Sequence, residues 1–124
     1  MELESSTRSI RRARHWVREN PVCAGLEPDA VRVAELLTSE LVTNAVKYGP
    51  RGGTIRVRAE RDRSTLGVTV TDDGPERPVV RHPAPDELGG RGMGIVQSLA
   101  CDWGVDVHEG NGKSVWFRVP VRAH

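Results

Sequence analysis

A carboxylate and a carboxamide lie one helical turn apart in the segment SELVTNAVKYG, at Glu40 and Asn44. With Leu37 at zero on a helical wheel of about 100° per residue, Asn44 falls at about −20° and Glu40 at about −60°. Both therefore lie on or beside the apolar face, where an unpaired amide costs about 1–3 kcal/mol and an unpaired carboxylate costs more. Either neighbouring backbone satisfies them, or they line a pocket for a cation or a polar ligand, whose rim Lys47 and Tyr48 would extend.

A second acidic group stands at the end of the segment VTVTDDGP, at Asp72-Asp73-Gly74. Asp-Gly commonly forms a hairpin turn, which requires another strand to follow at once. The chain instead enters a long segment that is rich in proline and charge, and this weakens the hairpin interpretation. The alternative is that Asp72 points into a cavity and accepts a hydrogen bond from an exocyclic amine. Gly74 would then let the backbone approach the ligand closely.

Glycines precede a short predicted helix in the segment LGGRGMGIVQSL, at Gly89, Gly90, Gly92 and Gly94. Backbone N–H groups at a helix N-terminus favour anions, so phosphate is the natural guest. The pattern differs from the dinucleotide-binding fingerprint, because it reads G-x-G-x-G and no hydrophobic strand precedes it. The triplet Gly112-Lys113-Ser114 matches the end of a P-loop, but the first glycine would fall at Val107 and a strand follows. No P-loop is predicted.

Three predicted helices and two pairs of strands must position these groups. An apolar stripe at helical spacing predicts a first helix over 5–19, with most of its arginines off the stripe, and a second helix runs from Pro28 to about Tyr48. The later predicted elements are strands 54–61 and 65–72, a short helix 95–102, and strands 103–109 and 114–121. This order predicts an α+β domain with helices on one face of a largely antiparallel sheet.

The composition excludes several classes of protein. Eighteen Lys+Arg against 17 Asp+Glu give a net charge of +1, which argues against a dedicated nucleic-acid binder. Cys23 and Cys101 are far apart and form no metal-binding pattern. The N-terminal segment MELESSTRSIRRARHW has no apolar core of the signal-peptide type, and no segment is long enough to span a membrane. We expect a cytoplasmic protein without a membrane or nucleic-acid partner.

The order and spacing of the three motifs carry more information than each motif alone. The chain resembles the GHKL superfamily of ATP-binding domains, which have the Bergerat fold. The resemblance lies in the succession of Glu40-x-x-x-Asn44, Asp72-x-Gly74 and the glycine-rich segment. The resemblance implies one histidine-kinase-like ATPase domain over 1–124, a two-layer α/β sandwich with a mixed, mostly antiparallel sheet. Its named segments would be the N box (about 36–49), the G1 box (about 72–76), the ATP lid (about 75–88) and the G2 box (about 89–95).

The resemblance also implies a role for each motif residue, with ATP and Mg²⁺ as cofactors. Asn44 would coordinate the Mg²⁺ that bridges the phosphates, and Glu40 would be the catalytic base for a substrate hydroxyl or water. Asp72 would hydrogen-bond the adenine amino group, and Gly74 would shape the pocket floor. The other implied nucleotide-binding residues are Lys47, Gly90, Arg91, Gly92, Met93, Gly94 and Ser114. In the segment GKSVWF, which matches the strand after the lid helix, Lys113 and Ser114 would border the pocket.

The segments ELVTNAVKYG and GRGMGI are similar to those of the anti-sigma-factor serine kinases. That similarity implies a serine/threonine-protein kinase that binds a sigma factor and transfers the γ-phosphate of ATP to an anti-anti-sigma (antagonist) protein. An exposed helix face is compatible with a homodimer. The alternative is a non-catalytic regulator whose protein binding depends on the nucleotide. A histidine-kinase catalytic domain is disfavoured, because the 124 residues contain no phosphoacceptor and dimerisation helices.

The sequence departs from the family pattern at two places. Two residues after Gly74, where the G1 box usually has a second glycine, the chain has Glu76, which makes the lid entrance stiffer and more acidic. The segment before the first helix, which relatives often use as an edge strand, is only MELE. The predicted order of elements therefore begins with a helix.

Overall fold

A computed structural model of the chain describes residues 1–48, 53–73, 96, 98–108 and 112–121. Its elements, in chain order, are β1 (Glu2–Glu4), α1 (Thr7–Glu19), a 3₁₀ turn (Pro21–Cys23), α2 (Pro28–Tyr48), β2 (Thr54–Arg61), β3 (Thr65–Asp72), β4 (Asp102–Val107) and β5 (Lys113–Pro120). In the part of the chain described, no helix has the length and apolar composition needed to cross a membrane.

The strands form one five-stranded sheet in the order β1-β2-β3-β5-β4, and every neighbouring pair is antiparallel. Helix α2 packs on β3 and β5, and α1 packs on α2. The predicted α+β fold, with an antiparallel sheet and helices on one face, is confirmed.

The core lies between the sheet and α2 because the apolar residues of each element share one face. Val68 of β3 stands opposite Phe117 of β5, and both are completely buried. Leu37 and Leu41 of α2 are also completely buried, one helical turn apart. The inward-facing apolar side chains of alternate strand residues therefore pack against the apolar stripe of the helix in one layer. The arginines of α1 lie away from this layer and are all exposed, as predicted.

The N-terminal segment corrects the predicted order of elements, because MELE forms the edge strand β1. Leu3 pairs with Ile55 of β2 and is 3% exposed. The backbone of Met1 exchanges two hydrogen bonds with Val57, at 2.8 and 3.0 Å. Three residues with a single apolar side chain are too short to show strand periodicity, and the strand exists because β2 supplies the ladder partners.

The boundaries of the last strands differ slightly from those predicted. Val96, Ser98 and Leu99 are helical, within the predicted helix 95–102, but β4 already begins at Asp102. β5 runs from Lys113 to Pro120, one residue earlier at each end than predicted.

The predicted RDRS turn joins β2 to β3 through the side chain of Asp62. Its Oδ1 accepts hydrogen bonds from the backbone N–H groups of Ser64 and Thr65, both at 2.8 Å. These bonds from Thr65 and Ser64 favour the charged carboxylate, so the pKa of Asp62 is lowered from its usual value.

We expect Leu3→Ala to lower the free energy of unfolding by about 2–5 kcal/mol, because it empties a buried site between β1 and the helices. Urea denaturation followed by circular dichroism measures the loss. Glu4→Ala, an exposed position on the same strand, is the matched control and should change little. Equal denaturation midpoints for the two variants would show that β1 does not pack as described.

We also expect a pH effect from the Asp62 turn. Because the folded-state pKa is lowered, the stabilisation is present above the unfolded pKa and is lost as the pH falls through the folded value. Asp62→Asn keeps an acceptor oxygen but does not titrate, so its urea midpoint should fall less than that of the wild type between neutral pH and about pH 3. Identical pH profiles would contradict this assignment.

Candidate functional site

Helix α2 places Asn44 inside the molecule. Asn44 is 2% exposed, and its Oδ1 has no hydrogen-bond partner among the described residues. A mid-helix amide oxygen needs a donor, and the backbone N–H groups around it already bond to carbonyls one turn earlier. By contrast, the hydroxyl of Thr43 donates a hydrogen bond to the Ser39 carbonyl at 2.7 Å. The Asn44 oxygen cannot make such a bond, because it is an acceptor. Local backbone therefore satisfies Thr43 but not the Asn44 oxygen.

An unsatisfied buried acceptor costs about 1–3 kcal/mol, so the position favours a ligand that offers a donor or a positive charge. Thr38 Oγ1 is also buried without a partner in the described part of the chain. On the helical wheel, Thr38 lies about 120° from Asn44, so one ligand does not serve both groups. Glu40 is partly buried, one turn before Asn44 and at the edge of the same face.

Strand β3 brings Asp72 to the same layer. Asp72 is 4% exposed and follows Val70 and Val68 on the sheet face that packs on the helices. A hairpin directly after Asp72-Asp73-Gly74 does not fit, because β2 and β5 already pair with the two edges of β3. Asp73 lies on the other face, with its Oδ2 3.8 Å from a guanidinium nitrogen of Arg56. Asp72 is therefore the inward-facing member of the pair.

The chain connection brings the end of α2 near Asp72. Only residues 49–53 separate Tyr48, the last residue of α2, from the start of β2. Ile55 of β2 is the direct ladder partner of Asp72. The amide of Asn44 and the carboxylate of Asp72 thus belong to the same end of the layer between α2 and the sheet.

The register of β5 separates two residues that the sequence grouped together. Lys113 is the ladder partner of Asp72, and its Nζ lies 3.3 Å from Asp72 Oδ2. Ser114, predicted to bind the nucleotide, lies on the opposite face of the sheet, where its Oγ is 2.7 Å from both Thr71 Oγ1 and His108 Nε2. The structure therefore brings Lys113, and not Ser114, beside Asp72.

This placement of Lys113 was present in the sequence pattern. Lys113 has the same parity as the apolar residues Val115, Phe117 and Val119, which line the helix-facing side of β5. Counting back by two from these residues identifies Lys113 as inward-facing.

The remaining predicted site residues are only partly described. Lys47 is exposed in the last turn of α2. The predicted ATP lid, 75–88, and the following predicted site residues lie outside the described part of the chain: Gly74, Gly90, Arg91, Gly92, Met93 and Gly94.

The described residues do not include any group of three or more His, Cys, Asp or Glu side chains that could hold a metal ion by themselves. A cation at Asn44 would therefore need ligands from elsewhere. Mg²⁺ fits this situation, because it is commonly bound through one or two protein oxygens together with substrate phosphates and water.

Two curated proteins are similar to most of this chain. The chain is 32% identical over 124 residues to the non-motile and phage-resistance protein of Caulobacter vibrioides, covering 82% of this chain and 15% of that protein. It is 30% identical over 129 residues to the adaptive-response sensory kinase SasA of Thermosynechococcus vestitus, covering 90% of this chain and 34% of that protein. The chain thus spans about a third or less of these two relatives.

Solved structures show the same relationship. The histidine kinase domain of the blue-light activated histidine kinase EL346 from Erythrobacter litoralis is 31% identical with a TM-score of 0.58, covering 75% of this chain and 45% of that chain. The catalytic domain of histidine kinase ThkA has a TM-score of 0.59 over 100% of this chain and 98% of that chain; at 14% identity it shows likeness of fold alone. The family profile of the histidine kinase-like ATPase domain matches residues 3–119. The chain belongs to the histidine kinase-like ATPase domain family.

Proposed function

We propose that this chain binds Mg²⁺–ATP at the end of the layer between α2 and the sheet and transfers the γ-phosphate to a protein side chain. The observation that carries the proposal is the buried Asn44 Oδ1, which lacks a partner among the described residues. Amide oxygen is a suitable ligand for Mg²⁺. When bound, the ion would supply positive charge to the phosphates.

The chain's own residues divide the remaining tasks. Asp72, which is buried and faces the layer between α2 and the sheet, would accept a hydrogen bond from the adenine amino group. Lys47, exposed in the last turn of α2, would lie beside the phosphates as a counter-charge. The glycine-rich segment, which lies outside the described residues, would hold the phosphates with its backbone N–H groups, as its sequence predicts. Ser114 is not included, because it lies on the other face of the sheet.

Glu40 is the proposed catalytic base. It lies one turn before Asn44 on the same side of α2 and is partly buried, so its carboxylate remains accessible to a nucleophile. From this position it would orient a hydroxyl group or a water molecule and take its proton. Transfer of a phosphoryl group needs mainly positioning and charge neutralisation, which these groups supply.

We propose a Ser or Thr hydroxyl of an antagonist protein as the acceptor, with a sigma factor as a second partner and a homodimer as the assembly. The choice of acceptor and partners is supported by the similarity of the segments ELVTNAVKYG and GRGMGI to those of anti-sigma-factor kinases. A second candidate acceptor is a histidine, because the matched structures are histidine kinases. A third possibility is regulation without catalysis, in which nucleotide binding alone changes the affinity for a partner.

Replacing the buried amide should separate stability from binding. We expect Asn44→Leu, which keeps the branched shape of the side chain without its polar atoms, to raise the free energy of unfolding of the nucleotide-free domain by about 1–3 kcal/mol, because it removes an unsatisfied acceptor. The same variant should lose Mg²⁺-dependent ATP binding in calorimetry. Stability is measured by urea denaturation without nucleotide.

Thr38→Val is the matched control for Asn44→Leu. It removes a second buried oxygen of α2 that lacks a partner among the described residues, with almost no change of shape. It should also stabilise the domain but leave ATP binding intact, because Thr38 lies on a different side of the helix. Unchanged ATP affinity in Asn44→Leu would disprove the Asn44 assignment.

Removing the charge of Glu40 should affect catalysis and not binding. We expect Glu40→Gln to bind Mg²⁺–ATP with an affinity within about threefold of the wild type, while phosphate release from ATP falls by about 10²–10⁴-fold. Glu27→Gln, the same chemical change at an exposed position before α2, is the control. An unaltered rate in Glu40→Gln would remove Glu40 from the mechanism.

The chemistry of the phosphorylated product identifies the acceptor. A Ser or Thr phosphoester survives acid, whereas phosphohistidine is lost in acid and survives alkali. Incubation of the wild-type chain with labelled ATP and a partner protein, followed by acid and alkali treatment, should leave an acid-stable label. An acid-labile, alkali-stable label would replace the Ser/Thr proposal with the histidine acceptor.

A further inference from the structure

The ion pair between Lys113 and Asp72 places an ammonium group where the adenine base is proposed to bind. The two residues stand directly opposite each other on β5 and β3, with Nζ 3.3 Å from Oδ2. Their side chains are 23% and 6% exposed, so the pair lies inside the domain and not on its surface. Parity along β5 places Lys113 on the face that packs on the helices, together with Val115 and Phe117.

The two side chains have opposite hydrogen-bonding abilities. An ionised carboxylate only accepts hydrogen bonds and has about four lone-pair positions, whereas an ammonium group has three donors and no acceptor. The contact between Nζ and Oδ2 uses one donor of the ammonium group and one acceptor position of the carboxylate. Side by side, they offer one acceptor and one donor to a molecule that enters the layer.

Purine bases present a matching pair of groups on one edge. Adenine has an amino donor at C6 and an acceptor at N1. Guanine and hypoxanthine have a carbonyl acceptor at C6 and a donor at N1. A lone carboxylate suits an amino group and repels a carbonyl oxygen, because both atoms carry negative charge. A neighbouring ammonium group removes that repulsion, because it donates to the carbonyl while Asp72 accepts from N1–H.

We propose that Lys113 determines the base selectivity of the nucleotide site and allows it to bind the 6-oxopurine nucleotides GTP and ITP as well as ATP. This inference rests on the proposed function, in which a nucleotide base lies against Asp72. A purely structural ion pair would contribute to folding but would not distinguish one base from another. Base selectivity is therefore the property that separates the two roles.

The experiment measures the affinities of the full chain for ATP, GTP and ITP by calorimetry in the presence of Mg²⁺. The wild type should bind GTP and ITP within about tenfold of ATP. Lys113→Met should weaken GTP and ITP binding by about 10- to 100-fold more than ATP binding, because their C6 carbonyl then lies against the carboxylate of Asp72 without a donor, whereas the adenine amino group still donates to Asp72. Lys113→Arg keeps a charged donor and should restore most of the GTP and ITP affinity.

Arg58→Met is the matched control, because it removes one positive charge from an exposed position of β2. It should either leave the affinities for ATP, GTP and ITP unchanged or lower all three by the same factor. Urea denaturation of each variant checks that it is folded; if Lys113→Met does not fold, the wild-type ratios and Lys113→Arg still decide the question.

Three results would overturn the inference. If the wild type binds GTP and ITP more than about 100-fold more weakly than ATP, the inference is wrong and the proposed function is unaffected. Equal loss of all three nucleotides in Lys113→Met would assign Lys113 a structural role only. A wild type that binds none of the three nucleotides would overturn both the inference and the proposed function.

Discussion

The amide of Asn44 is the constraint around which the proposed site is organised. Helix α2 must bury one face against the sheet, and completely buried Leu37 and Leu41 do so. A polar group on that face would normally be replaced by a leucine, because an unsatisfied acceptor destabilises the fold. Its presence is understandable if the nucleotide-free domain gives up some stability so that a cation has an oxygen ligand inside the layer. Sites of function are commonly where such local rules are broken.

The antiparallel sheet supports this site by separating its two faces. One residue of register decides whether a side chain of β5 faces the helices or the open side. Lys113 therefore meets Asp72 at 3.3 Å, whereas its neighbour Ser114 bonds to Thr71 and His108 on the other side. β3 is held between β2 and β5, so Asp72 at its end has a fixed position. The rigid sheet and the helix thus supply positions, and the charges of a few residues supply the chemistry.

Much of this arrangement could be predicted from the sequence, because strong periodicity survives folding. α2 was predicted from Pro28 to about Tyr48 and is found there, and the strands 54–61 and 65–72 agree as well. β1 could not be predicted, since its three residues become a strand only through β2. The burial of Asn44 followed from the helical wheel. Lys113 and Ser114 were both expected at the pocket border, and the alternation along β5 gives only Lys113 the inward direction. The acceptor of the proposed phosphate transfer depends on surfaces outside the site, so motif spacing did not determine it.

The most direct test of the central claim is a crystal structure of the chain with Mn²⁺, which has an anomalous signal, and a non-hydrolysable ATP analogue. We expect the metal ion to have Asn44 Oδ1 as a direct ligand, within about 2.3 Å. The adenine amino group should be within hydrogen-bonding distance of Asp72. A bound nucleotide whose metal has no contact with Asn44, with the amide oxygen instead bonded to a protein donor, would contradict the account.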